Sequence, residues 1–277
     1  MSLMLKLLAT ALLLSSFCQA NATSEKVEEF LSDKFDENPG LQSASVKVDE
    51  VVELKRLKGW NAYIVSVKAS LKDKPKSVIK QKMIWFSNGE IITKELTNMK
   101  NGESLADMVK PNFKDEYYSK ENLIYGNENA KHKVAIFSDP LCPFCKSFVP
   151  GAIEDMKKNP EKFAIYYYHF PLERIHPASV TLVKAAVAAE LKGAKDVVLK
   201  LYGININPNE KDVGKILVAF NKALGSNVTA RDLQSPAVLK QINFDSEVAN
   251  DVMVAGTPTI YLDGQIDKTR FKYKKAQ

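Results

Sequence analysis

Two cysteines three positions apart, Cys142 and Cys145, stand between the apolar run Val134-Ala-Ile-Phe137 and the helical stretch Lys146-Ser-Phe-Val149. A strand, then Cys142-Pro143-Phe144-Cys145, then a helix restricts the fold more than anything else in the chain. It places Cys142 at a helix N-terminus, where unpaired backbone N–H groups and the positive end of the helix dipole favour a thiolate. Cys142 is therefore expected to attack. Cys145, one turn further in, is expected to be shielded and to act as the resolving thiol. The spacing lets the two close into a disulfide with little backbone movement, so the site can cycle between dithiol and disulfide. Half a zinc site is another use of such a pair, but His132, His169 and His176 lack a paired metal-binding spacing. A purely structural disulfide closing so small a loop would constrain the unfolded chain little. Neither a metal nor a cofactor is expected.

The rest of the sequence sets the context. Its 277 residues, 45% hydrophobic and 26% charged with 12 Gly and 12 Pro, exclude disordered, collagenous and low-complexity classes and allow one large domain or two modest ones. Residues 1–22 read as an export signal: Lys6, the apolar run Leu7–Leu14, then small residues around Ala20 and Ala22. A lipoprotein reading would need a small residue before Cys18, where Phe17 stands. Loss of the signal removes Cys18 and leaves Cys142 and Cys145 in an oxidising compartment. It also lowers the formal net charge of +6 by Lys6, to 6 − 1 = +5. The excess lies in the second half, largely in Lys268, Arg270, Lys272, Lys274 and Lys275. No nucleic-acid motif accompanies it, so a solvated terminus is expected and no nucleic-acid partner.

Residues 23–111 read as a helix followed by an antiparallel sheet. Ser24 is a candidate N-cap for a helix carrying Val27, Phe30, Leu31 and Phe35, and Asn38-Pro-Gly40 ends it. Alternation around Val46 and Val48 and over Tyr63–Leu71 predicts strands, and Val78–Phe86 and Glu90–Leu96 flank a hairpin signal at Asn88-Gly89. Residues 112–130, polar and turn-rich, are expected to be a linker. From 131 to 277 the pattern is strand, Cys-x-x-Cys helix, strand at Phe163–Tyr168, a helical block over about 177–250, and a last strand at Thr259–Leu262. In that block Val180, Val183, Ala186, Val187 and Leu191 repeat on one face. His169 and His176 are read as structural or surface residues, Tyr166–Tyr168 as strand packing with one outward edge, and Asn227-Val-Thr229 as a weak glycosylation match.

The segment Phe137-Ser-Asp-Pro-Leu-Cys-Pro-Phe-Cys-Lys-Ser-Phe148 resembles the active site of the thioredoxin-fold Dsb proteins, most closely the periplasmic disulfide isomerases DsbC and DsbG. Asp139 matches those isomerases, and Pro150 matches the proline inside the thioredoxin active-site helix. Gly256-Thr257-Pro258-Thr259 resembles the cis-proline loop that packs beside the dithiol. Phe170-Pro-Leu-Glu-Arg-Ile-His-Pro-Ala-Ser179 before an alanine-rich helix is similar instead to DsbA-like oxidases. Two departures stand out. Ile136 occupies the position, six before Cys142, of a buried acid, so proton transfer to Cys145 falls to water or another group. Phe144 replaces the DsbA histidine, which argues against the most oxidising extreme of the family.

The expected protein is thus a two-domain α+β and α/β chain: a helix-plus-sheet dimerisation domain, a linker, and a thioredoxin-fold domain with a helical insertion. The resemblance implies a periplasmic thiol:disulfide interchange protein, an isomerase or reductase of misoxidised exported proteins. It assigns catalysis to Cys142 and Cys145, and substrate contact or tuning to Pro143, Phe144, Thr257 and Pro258. It further implies a homodimer and a membrane redox partner of the DsbD or DsbB type. A DsbA-like disulfide donor and a periplasmic chaperone or binding module are the alternatives.

Overall fold

The computed structural model describes residues 23–73 and 78–276; the export signal and Cys18 lie outside them. The chain divides into two compact units between Lys110 and Pro111.

In the first unit a helix over 23–36, α1, lies on a sheet ordered β1 (Leu41–Glu53), β2 (Asn61–Leu71), β3 (Val78–Ser87) and β4 (Ile92–Thr93), all antiparallel, and a single helical turn, α2 (Ala106–Val109), follows. Register opposes Val46 to Val67 and Val48 to Val65. This puts the β-branched residues of β1 and β2 on one face, where Tyr63, Val65 and Val67 meet Val27 and Leu31 of α1. Enclosing Leu31 contributes about 2 kcal/mol. Three expectations change here. Ser24 already has helical backbone and lies within α1 rather than before it. Phe30, expected on the buried face, is 44% exposed. The strand expected over Glu90–Leu96 is only Ile92–Thr93, because the Thr93 hydroxyl donates to the Glu95 carbonyl and accepts from the Glu95 N–H, turning the chain off the sheet.

In the second unit the sheet order is β5 (Leu123–Tyr125), β7 (Phe163–His169), β6 (His132–Ser138), β8 (Thr259–Leu262), β9 (Gln265–Ile266). Only β6 and β7 run parallel, joined through the helix α3 (Pro143–Lys157), as a parallel pair requires a crossover. Being central, β6 is buried on both faces and so reads as an unbroken apolar run. Ile136 and Val134 face α3, while Ala135 and Phe137 face the other side with Tyr168 and Tyr261. Between β7 and β8 the helical block resolves into α4 (Pro177–Leu191), α5 (Val197–Leu201), α6 (Val213–Leu224) and α7 (Pro236–Asp251). In α4, Leu191 is 59% exposed, whereas Ala178, Leu182, Ala185, Ala188 and Ala189 are buried. Its small side chains admit neighbours nearly all round, which a one-face pattern does not predict. A short helix, α8 (Tyr273–Ala276), ends the described chain.

Residues 112–130 are not a linker. Phe113 and Tyr117 are buried against Phe137, Tyr168 and Tyr261, and Leu123–Tyr125 is a strand of the sheet. Gly126 takes φ +83 and packs so tightly that an added Cβ would lie 1.9 Å from the Phe163 carbonyl oxygen. Apart from Asn122, which is buried and donates to the Tyr167 carbonyl and Asp245, most polar residues that suggested a linker sit at the surface of a segment whose few aromatics carry its packing. The same segment removes the outward edge expected of the tyrosine run. Tyr166 and Tyr168 lie beneath it and Tyr167 faces α3, so all three are buried.

Candidate active site

The loop after β6 is held by one carboxylate. Asp139, fully enclosed, accepts through Oδ1 from the Leu141 N–H (2.7 Å) and the Ser179 hydroxyl (2.6 Å). Through Oδ2 it accepts from the Leu172 N–H (2.7 Å) and lies 3.0 Å from His176 Nδ1. A buried carboxylate is tolerable only when its oxygens are met by donors in this way. The contacts bind the turn at 139–141 to the segment that opens α4, and thereby fix where α3 begins. Cys142 then takes an extended backbone as the N-cap of α3, and Pro143 follows at the first helical position, where a missing N–H costs nothing.

The six residues singled out from the sequence gather at this point. The Thr257–Pro258 peptide bond is cis. The Cys142 thiol lies 3.8 Å from the Thr257 carbonyl, to which it donates. Both cysteines are free thiols. Cys145 is fully enclosed, and burial pushes its thiol up to about 11, against which the Ser138 and Thr257 hydroxyls act in the opposite direction. Thr257 Oγ1 is buried without a hydrogen-bond partner. Pro143 and Phe144 are exposed, Phe144 at 69%, beside the thiols. Cys142 is only 5% exposed, its thiol lying against the Thr257 carbonyl, and it remains the more accessible of the two.

Sequence reasoning missed the surroundings of Cys145. The Ser138 hydroxyl lies 2.7 Å from the Tyr202 hydroxyl, which lies 2.8 Å from that of Tyr167. Ser138 stands directly before Asp139 and could have been noticed, but Tyr202 comes from the turn after α5 and carries no local signal. His176 is a structural partner of Asp139, and the ring of His169 is buried with Nδ1 unpartnered. Among the described residues no three His, Cys, Asp or Glu side chains converge as a metal would require, and no helix is long and apolar enough to cross a membrane.

Comparison with known proteins adds the following. A family model described as thioredoxin matches residues 118–277. The Na(+)/H(+) antiporter NhaA 1 of Mycolicibacterium gilvum is 28% identical over 144 residues, which is 51% of this chain and 23% of the antiporter. The corresponding antiporter of Mycolicibacterium vanbaalenii is 28% identical over 143 residues, with the same 51% and 23%. The chain thus spans about a quarter of the length of the curated relatives it matches. Among solved structures, the thiol-disulfide exchange protein alpha-DsbA2 of Wolbachia pipientis has 20% identity and a TM-score of 0.47, covering 59% of this chain and 90% of that one. A thioredoxin-like oxidoreductase of Silicibacter pomeroyi has 20% identity and a TM-score of 0.46, with coverage of 58% and 92%.

Proposed function

The chain belongs to the thioredoxin family, and from that premise we propose that it is an exported thiol:disulfide oxidoreductase acting as a disulfide isomerase or reductase on misoxidised proteins. The observation that carries the reading is the pairing of two free thiols one helical turn apart, the outer one under a cis-proline loop and the inner one sealed. In the first step the Cys142 thiolate attacks a client disulfide. An S–S bond forms between Cys142 and the client, the client's own S–S bond breaks, and a client thiolate leaves. Either a different client thiolate attacks the client sulfur of the mixed disulfide, forming a new client S–S bond and releasing the Cys142 thiolate, which isomerises the client, or Cys145 attacks Cys142 and releases a reduced client. The second route leaves a Cys142–Cys145 disulfide for a membrane reductant of the DsbD type to reduce. The exposed Phe144 and Pro143 offer the client an apolar contact, and the free edge of the Thr257–Pro258 loop offers its backbone a strand partner.

The first unit supports a homodimer. Along β3 only Phe86 and Ser87 pair with β4, so among the described residues Val78–Trp85 have no neighbour on that side, and β1 has none beyond β2. Val78 and Ile79 are exposed on that edge at 61% and 44%. Natural proteins cover such edges, and a second copy is one cover. Two catalytic units in one dimer would raise the effective concentration of thiolate around a bound client. The DsbA-like helical block between β7 and β8 favours the second reading, a disulfide donor coupled to a DsbB-type partner.

Trapping tests the assignment. Cys145→Ser accumulates client mixed disulfides in exporting cells and Cys142→Ser accumulates none; the reverse pattern overturns the roles. Light scattering on the processed chain gives twice the chain mass, and a resting pair that is mainly reduced in cells marks the isomerase. A monomer with a mainly oxidised pair supports the donor.

A further inference from the structure

Cys145 must lose its proton before it can attack a Cys142 mixed disulfide, yet burial holds that proton and Ile136 leaves no acid at the strand position beneath it. Tyr167 and Tyr202 pack in the same core cluster as Cys145, and with Ser138 they form a chain of hydroxyls drawn from three separate elements. Ser138 ends β6, Tyr167 lies on β7 and Tyr202 follows α5, and the spacings of 2.7 Å and 2.8 Å make one continuous hydrogen-bonded line. Their exposures are 0%, 2% and 9%. Three hydroxyls taken from water in an apolar core carry a desolvation cost that apolar side chains of similar shape would avoid. Packing therefore does not account for them. If Tyr167 donates to Tyr202 and Tyr202 donates to Ser138, the Ser138 proton is left to point at the sulfur.

We propose that Ser138 is a catalytic hydroxyl that donates a hydrogen bond to the Cys145 sulfur as its thiolate forms, and that Tyr202 and Tyr167 are positioning residues that hold it in that orientation. The proposal rests on the thiol-exchange reading above. In the resolving step the Cys145 sulfur bonds to the Cys142 sulfur and the Cys142–client S–S bond breaks. The electron pair of the broken bond leaves on the client sulfur, which takes up, through water, the proton Cys145 has given up. The two cysteines are oxidised and the client sulfur is reduced. The hydroxyls donate throughout and carry no net proton, so no buried acid is needed. In the mixed disulfide Cys142 carries no charge to oppose that thiolate, and the other groups acting on Cys145 are the Thr257 hydroxyl and the Asp139 backbone, both of which support it. The nearby Asp139 carboxylate is already occupied by its four partners.

The test uses the processed chain, without Cys18, reduced and mixed with a self-quenched dye-labelled glutathione disulfide. The first fluorescent phase reports attack by Cys142, and the second, absent in Cys145→Ser, reports resolution by Cys145. Ser138→Ala slows the second phase about tenfold relative to the first, Tyr202→Phe slows it less, and Ser138→Thr, which keeps a hydroxyl, restores it. In a Cys142→Ser background, carbon-13 NMR of the Cys145 Cβ follows the thiol directly, and Ser138→Ala raises its titration by about one pH unit, the same factor of ten. An unaltered second phase, or a slowed one with an unmoved titration, overturns the proposal and leaves the exchange reading standing. A parent protein with no first phase overturns that reading and this proposal together.

Discussion

Asp139 is the residue on which the geometry of Cys142 depends, and removing its carboxylate should be costly in a calculable way. Asp139→Ala leaves the Leu141 and Leu172 N–H groups, the Ser179 hydroxyl and His176 Nδ1 without their shared acceptor in a buried site. Each buried donor left unmet costs about 1–3 kcal/mol, and breaking a buried charged network costs about 3–5 kcal/mol because neighbours and water recover part of the loss. Asp139→Asn keeps the shape. Its NH2 can face His176, whose Nδ1 can turn acceptor, so one N–H remains unmet at about 1–3 kcal/mol. Against a typical domain stability of about 5–15 kcal/mol, the alanine variant gives up a large share. Urea unfolding separates the effect by unit. Both tryptophans, Trp60 and Trp85, lie in the first unit, so their fluorescence reports on it alone, while far-UV circular dichroism is weighted toward α3, α4, α6 and α7 of the second. The dichroism transition moves to lower urea, by more in Ala than in Asn, and the fluorescence transition stays. An alanine variant within about 0.5 kcal/mol of the parent, the range of ordinary surface changes, refutes the reasoning.

Three further outcomes are expected. Thr257→Val removes a hydroxyl that faces the Cys145 sulfur and moves the reduction potential of the pair against glutathione; an unmoved potential takes Thr257 out of the site. Gly126→Ala, at φ +83 and against the Phe163 carbonyl, destabilises the second unit by more than about 1–2 kcal/mol, the conformational penalty alone, whereas a true linker position would be indifferent to it. Stability of that unit falls as pH rises from about 5 to 6. Burial raises Asp245 from 3.8 and Glu190 from 4.5, each to about 7, so their contribution is full below the unfolded values and is lost as pH rises through the folded ones. Burial lowers His169 from 6.5 to about 4, so its contribution is present above 6.5 and lost as pH falls. In that window two carboxyls outweigh one imidazole, and Asp245→Asn flattens the slope measured by chemical denaturation; an unchanged slope contradicts the assignment.

How much of this could be read from the chain depended on whether the determinant was local. The Cys142–Cys145 helix, the strands β6, β7 and β8 and the Gly256–Thr259 loop are each fixed by residues adjacent in sequence, and the structure brings them together. Strand alternation over Tyr63–Leu71 likewise carries over into β2. What failed was long-range. Residues 112–130 look like a linker because only Phe113, Tyr117 and the β5 residues pack, and their partners lie far along the chain at Phe137, Tyr168 and Tyr261. The alanine faces of α4 gain meaning only when α6 and α7 arrive. Tyr202 joins the thiol site from the far side of α5, and Asp139 shows its role only once Leu172, His176 and Ser179 fold back onto it.

The central claim, that Cys142 and Cys145 form one reversible redox pair, is tested most directly by equilibrating the processed chain, without the signal and its Cys18, across a series of reduced and oxidised glutathione ratios, quenching with acid, alkylating and weighing the products. The account predicts two species only: a dithiol carrying two alkyl groups and an intramolecular Cys142–Cys145 disulfide carrying none, interconverting reversibly at one midpoint. A chain that keeps both thiols at every ratio, or that accumulates a stable glutathione adduct at either cysteine in place of the internal disulfide, contradicts it.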